Sequence, residues 1–272
     1  MQQSARLQLD LFLQSVTSSV TALLMLDYDG TLAPFHEQRN LARPYPGVSE
    51  LLGQMMETTK TRIVIISGRD ANEIPALLGL NPCPEMWGLH GLQSISADGT
   101  AQEPILDERT RLGLDDALRW LRYQGLLQTA EPKGASLALH WRGRDPQQAE
   151  EWRSRTLLGW APIARSSGLK ILEFDGGVEI CAPESDKGAV VRALLRDTDS
   201  TQPAAYLGDD STDEHAFRAL AGRGLSVLVR PRFRRTAAQL WLQPPDDLIE
   251  FLKLWLEASQ STRTLAASPT RQ

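Results

Sequence analysis

Cysteine is nearly absent from this sequence: Cys83 and Cys181 are its only two, far apart and in no CxxC pair. A paired-cysteine zinc site and dithiol redox chemistry are therefore excluded, and a reducing compartment fits. Long apolar runs are also missing. The stretch Leu11 to Leu26 is interrupted by Gln14, Ser15, Thr17, Ser18, Ser19 and Thr21, short of the ~18 or more apolar residues of a spanning helix. Nor does the beginning read as a signal peptide. Arg6 is its one early positive charge, Asp10 intrudes, and no small-residue cleavage site follows a compact apolar segment. No membrane association is expected, and a cytoplasmic location is. A basic excess is lacking too: 29 Lys and Arg stand against 34 Asp and Glu, a net charge of −5. The one local basic cluster is Arg230, Arg232, Arg234 and Arg235, too small for a phosphate-backbone footprint, so no nucleic-acid partner is expected. No internal repeat is found.

What is present is a chain of 272 residues, 42% hydrophobic and 23% charged. That balance excludes disordered and fibrous classes, and the length has room for two modest domains. Ala22 to Leu26 is wholly apolar and stops at Asp27, which reads as a buried strand running into a loop. Gly47 to Lys60 has helical spacing, Ile63 to Ile66 is a second apolar strand ending at Ser67-Gly68-Arg69, and Asp70 to Leu78 reads as a helix. The same order returns later: helix Asp186 to Arg196, strand Ala204 to Leu207, helix Asp213 to Leu220, strand Leu225 to Val229. This is the pattern of an α/β, doubly wound parallel sheet. Between the two portions, residues 103–180 are too many for a structureless loop. Helices at Leu106 to Gln124 and Gln147 to Leu158, a strand at Ala135 to Trp141, and short strands near Ile163, Ile171 and Val178 give an inserted α+β domain. The expected division is thus a core of residues 1–102 and 181–260, an inserted domain of 103–180, and a frayed tail of 261–272.

Three strands of the expected sheet end in polar clusters: Asp27-Tyr28-Asp29-Gly30-Thr31, Ser67-Gly68-Arg69 and Gly208-Asp209-Asp210-Ser211-Thr212-Asp213. Taken singly, each reads equally as a turn or a helix cap, and Lys187 alone as a solvated lysine at a helix start. Ligands of open α/β sheets, however, bind beyond the carboxyl ends of strands, so all three clusters can face one crevice. Asp27, Asp29, Asp209, Asp210 and Asp213 gathered there would repel one another unless a cation lay among them, and an oxygen-rich cluster suits Mg²⁺.

These residues resemble the haloacid dehalogenase superfamily. Leu26-Asp27-Tyr28-Asp29-Gly30-Thr31-Leu32 is similar to its first motif, Ile65-Ile66-Ser67-Gly68-Arg69 to its second, Ser185-Asp186-Lys187-Gly188 to its third, and Tyr206 to Glu214 to its fourth. Gly88-Leu89-His90-Gly91 and Glu131-Pro132-Lys133-Gly134-Ala135-Ser136, leading to His140-Trp141-Arg142, resemble the trehalose-6-phosphate phosphatase family within it. One departure is that Glu179-Ile180-Cys181-Ala182-Pro183 lacks the basic residue usual before the third motif.

The resemblance implies catalytic roles for Asp27 as nucleophile, Asp29 as acid and base, and Ser67 and Lys187 as phosphate-holding groups. It implies a Mg²⁺ held by Asp27, the Asp29 carbonyl and Asp209, with Asp210 or Asp213 orienting its waters. Gly68, Arg69, His90, Glu131, Lys133, His140, Arg142 and Glu179 become candidates to bind substrate. The expected activity is Mg²⁺-dependent hydrolysis of trehalose 6-phosphate by a monomer, functionally coupled to a trehalose-6-phosphate synthase. Phosphatases of sucrose phosphate, glucosylglycerol phosphate or mannosyl- or glucosyl-phosphoglycerate, and a sugar phosphomutase, would share the core and remain alternatives.

Overall fold

The computed structural model describes residues 3–36 and 38–266. The first core portion runs α1 (Gln3–Thr17), β1 (Ala22–Leu26), α2 (Val48–Thr58), β2 (Thr61–Ile66), α3 (Ile74–Leu78), β3 (Glu85–Gly88), β4 (Gln93–Ile95) and β5 (Ala101–Gln102). The insert follows as α4 (Glu108–Tyr123), β6 (Ala130–Pro132), β7 (Ser136–His140), α5 (Pro146–Ser167), β8 (Lys170–Phe174) and β9 (Gly177–Cys181). The chain then completes the core with α6 (Lys187–Arg196), β10 (Ala204–Gly208), α7 (Glu214–Leu220), β11 (Leu225–Val229), β12 (Leu240–Leu242) and α8 (Asp246–Ala266).

An eight-stranded sheet in the order β12-β11-β10-β1-β2-β3-β4-β5 forms the core. Its strands from β12 to β3 are parallel, and β4 and β5 add an antiparallel edge. The apolar runs follow from burial on both faces. In β1, Ala22, Leu24 and Leu26 point into one cluster, while Leu23 and Met25 point into the other. β2 divides Ile63 and Ile65 from Val64 and Ile66 in the same way, as side chains of period two must. Helices α1, α2 and α8 cover the first face with Leu13, Leu52, Phe251 and Trp255, and α6 and α7 cover the second with Val191, Leu194 and Phe217. Each fully buried side chain of this size contributes about 1.5–3 kcal/mol of apolar transfer free energy.

The register aligns the strand ends. Leu26 pairs with both Leu207 and Ile65, so the residues that follow, Asp27, Gly208-Asp209 and Ile66-Ser67, emerge side by side at the carboxyl edge.

The insert is an antiparallel sheet ordered β6-β7-β9-β8. Leu137, Leu139, Val178 and Ile180 face α4 and α5, meeting Ala117, Leu121, Trp160 and Ala164. Alternation turns His140 and Glu179 to the opposite side, into the cleft above the core's strand ends. The α/β core and its α+β cap bear out the expected architecture.

Two details differ. Ile163, expected near a strand, lies within α5, which continues through Pro162 to Ser167. Trp160 and Ala164, four residues apart, share the helix face packed on the cap sheet, and that packing overrides the proline signal. The frayed tail expected over 261–272 is helical backbone as far as Ala266, and residues 267–272 lie outside the described residues. Helices α1 and α8 and strands β3, β4, β5, β6 and β12 have no counterpart among the expected elements. Among the described residues no helix is long and apolar enough to cross a membrane.

Candidate active site

At the end of β1 the Asp27 carboxylate is buried; its Oδ1 accepts from Lys187 Nζ at 2.6 Å and its Oδ2 from Thr31 Oγ1 at 3.2 Å. Lys187 opens α6, is itself buried, and donates a second time to Asp213 Oδ1 at 2.7 Å. Asp213 receives every donor around it: Tyr206 Oη at 2.6 Å on Oδ1, and the backbone N–H groups of Asp209 and Asp210, both at 2.9 Å, on Oδ2. Glycine at position 30 is required by this convergence. Its φ is +83° and an added Cβ would lie 2.2 Å from Asp209 Oδ2.

Candidate ligand oxygens of Asp27, Asp209 and Asp213 all lie within 4.8 Å of one another. Three buried carboxylates thus share one ammonium. Burial, helped by Asp213 and Asp29 and opposed by Lys187, pushes Asp27 up to about 7. Burial and the neighbouring Asp27, Asp213 and Asp210 push Asp209 well above the usual carboxylate range. Asp213 stays below that range because Lys187 and its hydrogen-bond donors outweigh burial. A hard divalent cation fits this donor set, since it would compensate the excess negative charge that a single lysine leaves. Asp213 takes four protein donors against two for Asp27, so Asp27 and Asp209 are the carboxylates with more room to hold it.

The second strand end completes the reacting side. Asp29 is gripped by Arg69, whose Nε and Nη2 reach its two oxygens at 2.6 and 2.7 Å, the bidentate geometry that fixes a carboxylate's direction. Ser67 Oγ accepts the Arg69 N–H at 3.2 Å. Gly68 leaves space for an imidazole: an added Cβ would come within 2.6 Å of the His90 ring. His90 sits at φ 56°, next to Leu89 at φ 51°, two successive left-handed residues that cost free energy and occur where a side chain must be aimed. It is aimed across the cleft, with Nε2 at 3.0 Å from Glu179 Oε2 of the cap. A carboxylate can only accept there, so Nε2 carries the proton.

On the cap side, Glu179 is buried and also meets Ser136 Oγ and, at 3.4 Å, Lys133 Nζ. Burial would raise it, but Lys133 and His90 outweigh burial and hold it well below the usual glutamate range. Glu131 Oε2 lies 2.6 Å from His140 Nε2. Burial and the nearby Lys133, Arg142 and Arg39 depress His140 to about 4, which leaves it neutral near pH 7. The Arg142 guanidinium stacks on Phe35 of the core at 3.7 Å from the ring centre. Between the two sides lies a cleft of about 530 Å³ that reaches from Asp27 and Lys187 to Glu131 and His140.

A family model described as trehalose-phosphatase matches residues 25–239. The chain belongs to the trehalose-phosphatase family. It is 29% identical over 263 residues to the trehalose-phosphate phosphatase of Mycobacterium leprae, covering 87% of this chain and 58% of that protein. It is also 29% identical over 219 residues to the bifunctional trehalose-6-phosphate synthase/phosphatase of Thermoproteus tenax, covering 77% and 28%. The C-terminal domain of the C. albicans trehalose-6-phosphate phosphatase superposes with a TM-score of 0.77 at 21% identity, covering 92% of this chain and 96% of that domain, a likeness of fold. The chain spans about six-tenths of the length of the first curated relatives it matches.

The residues singled out in the sequence come to line one cleft, except Asp213, which is fully buried behind Lys187, and two of them are engaged elsewhere than expected. Arg69, a candidate for substrate, has its side chain 4% exposed and committed to Asp29. Asp210, expected with Asp213 as the alternative to orient metal waters, also accepts the N–H of Asp175 in the β8–β9 turn of the cap at 2.7 Å. Beside it Ser211 Oγ donates to Glu173 O at 2.7 Å and Arg230 pairs with Asp175 at 3.0 Å, so the acidic loop of the core grips the cap. Two of the four clustered arginines serve the same loop. Arg230 and Arg234 donate to the Asp209 carbonyl at 3.3 and 3.2 Å, and Arg234 also to that of Asp210 at 2.6 Å. Phe35 and Arg39, in the loop after β1, line the cleft without a motif to mark them.

Proposed function

We propose that this chain is a Mg²⁺-dependent phosphatase that hydrolyses trehalose 6-phosphate to trehalose and phosphate through an aspartyl-phosphate on Asp27. The observation that carries the reading is the pairing of one buried Lys187 with Asp27 and Asp213, beside Asp209, under a cap whose polar face opens onto the same cleft. An Asp27 oxygen attacks phosphorus and the bond to the sugar oxygen breaks. Asp29, aimed by Arg69, gives that oxygen a proton and then accepts one from the water that attacks phosphorus. The Asp27–phosphorus bond breaks in turn and restores the carboxylate. Lys187 and Ser67 hold phosphoryl oxygens while this happens. Phosphoryl transfer asks a protein chiefly for position and positive charge, and Mg²⁺ bound by Asp27, Asp209 and the Asp29 carbonyl would supply the latter.

Glu131, Lys133, His140 and Glu179 offer the sugar a row of donors and acceptors, the arrangement a hydroxyl-rich ligand requires. The reading also includes action in the cytoplasm, as a monomer, in functional coupling to a trehalose-6-phosphate synthase; the Thermoproteus tenax relative named for both activities supports that coupling. Phosphate release across a panel of sugar phosphates, with and without Mg²⁺, tests the reading. Mg²⁺-dependent release from trehalose 6-phosphate far above the other sugars is expected. Preferential release from another sugar phosphate would overturn the substrate, and isomerised sugar phosphate without free phosphate would replace the phosphatase by a mutase.

A further inference from the structure

A line of alternating charge crosses the cleft. Asp29 is held by Arg69; Arg69 Nη1 lies 3.6 Å from Glu73; Glu73 takes Arg39 Nη2 at 2.8 Å; Arg39 pairs with Glu131; and Glu131 lies 2.6 Å from His140. The first four residues belong to the core and the last two to the cap. Arg39 is therefore the member that makes the crossing. Its place is set by the fold: the single turn Arg39–Leu41 is fixed by the hydrogen bond from Tyr28 Oη to Ala42 O at 2.8 Å and, further on, by that from Tyr45 N to Leu32 O at 2.9 Å. Its partner on the cap needs it. His140 approaches Glu131 as a neutral ring, so Arg39 supplies the positive charge paired with that carboxylate among the described residues.

We propose that Arg39 is a specificity-determining positioning residue, which ties the sugar-reading face of the cap to the Asp29–Arg69 pair and makes productive closure depend on what occupies Glu131. The inference rests on the phosphatase reading above. A ligand whose hydroxyls meet Glu131 keeps Glu131 and Arg39 in one network, and closure then brings the cap to the reacting carboxylates. A phosphate ester with no such hydroxyls cannot join the network. The contact at 3.6 Å between Arg69 and Glu73 is the loosest link, and Arg69 Nη1 has no hydrogen-bond partner there, so the line has slack to tighten when Arg39 shifts.

The test compares trehalose 6-phosphate with p-nitrophenyl phosphate, a substrate without sugar hydroxyls, in wild type, Arg39→Ala, Arg39→Lys, Glu131→Gln and the Arg39→Ala/Glu131→Gln double variant. For Arg39→Ala the ratio of kcat/KM on the sugar phosphate to that on the aryl phosphate should fall about tenfold to a hundredfold, the worth of one charge-assisted hydrogen bond. The fall should lie mainly in KM. Lysine should restore part of it, since it returns the charge without the planar fork. The double variant should lose little beyond the single ones, because the two residues act as one unit. Equal losses on both substrates, no change in the ratio, or additive losses in the double variant would overturn the proposal. Should the wild type cleave the aryl phosphate and no sugar phosphate, the substrate reading fails separately. Small-angle scattering then decides about Arg39: an expanded radius of gyration in Arg39→Ala supports the tie between core and cap, and an unchanged one refutes it.

Discussion

The two walls of the cleft are built differently. On the core wall Asp27, Lys187 and Asp213 are nearly inaccessible, and their hydrogen bonds are closed within the core itself. On the cap wall Glu131 and His140 keep side-chain exposures of 19% and 34%, and Glu131 and Glu179 take partners from across the cleft in Arg39 and His90. The difference teaches that the end around Asp27 is preorganised by the fold of one domain, whereas the end around Glu131 and Glu179 is completed by partners from both. On the proposed function, chemistry at the first end would be insensitive to which sugar arrives, and selection would belong to the second.

The sharpest way to break this contrast is to remove the core's single compensating cation. Lys187→Met should cost about 3–5 kcal/mol of unfolding free energy in the absence of divalent ions, because the carboxylates around it stay buried without their partner. Chemical denaturation measures that cost, and phosphate release should be lost with it. A cost under about 1 kcal/mol would show that the carboxylates relax out of their buried setting.

A pH series comes next in size. Asp27 and Asp209 hold protons more tightly in the folded chain than in the unfolded one, so the folded state binds more protons and stability falls as pH rises. For Asp27 the window runs from the ordinary carboxylate value near 4 up to about 7. Without divalent ions this contribution to the melting temperature should drop across that window, and a His140→Gln background removes the opposing rise that the depressed His140 gives between about 4 and 6.5. Mg²⁺ should raise it more at pH 8 than at pH 5, when the carboxylates are free to bind. Equal Mg²⁺ shifts at both pH values would remove the metal from this cluster.

How much of this could be read in the sequence follows the same division. Asp27, Ser67 and Asp209 were legible because each terminates a strand whose apolar run is local, and parallel neighbours must end at one edge. Lys187 was legible as part of a motif at a helix start. Glu131, Lys133, His140 and Glu179 could be placed on the cap from their motif and strand alternation, but not paired with core partners. The link from Asp210 to Asp175, and the position of Arg39 between Glu73 and Glu131, depend on how the cap sits on the core, which no local pattern encodes. The same holds for α5, whose proline is tolerated because Trp160 and Ala164 have a sheet to pack on.

The smallest expected effect concerns the grip between the acidic loop and the cap. Asp210→Ala removes both the acceptor for the Asp175 N–H and the cap on the turn Ser211–Asp213, which should cost about 1 kcal/mol of stability. In steady-state kinetics it should raise KM more than it lowers kcat. A selective collapse of kcat would instead return Asp210 to the chemistry.

The most direct test of the reacting end is phosphate release from trehalose 6-phosphate by Asp27→Asn beside the wild type, both with Mg²⁺ and both checked for a native melting transition. The amide keeps the shape of the side chain and removes the nucleophilic oxygen pair, so a folded variant slowed by roughly 10³-fold or more is expected. A folded Asp27→Asn that releases phosphate at a rate near that of the wild type would contradict the assignment of the reaction to this carboxylate.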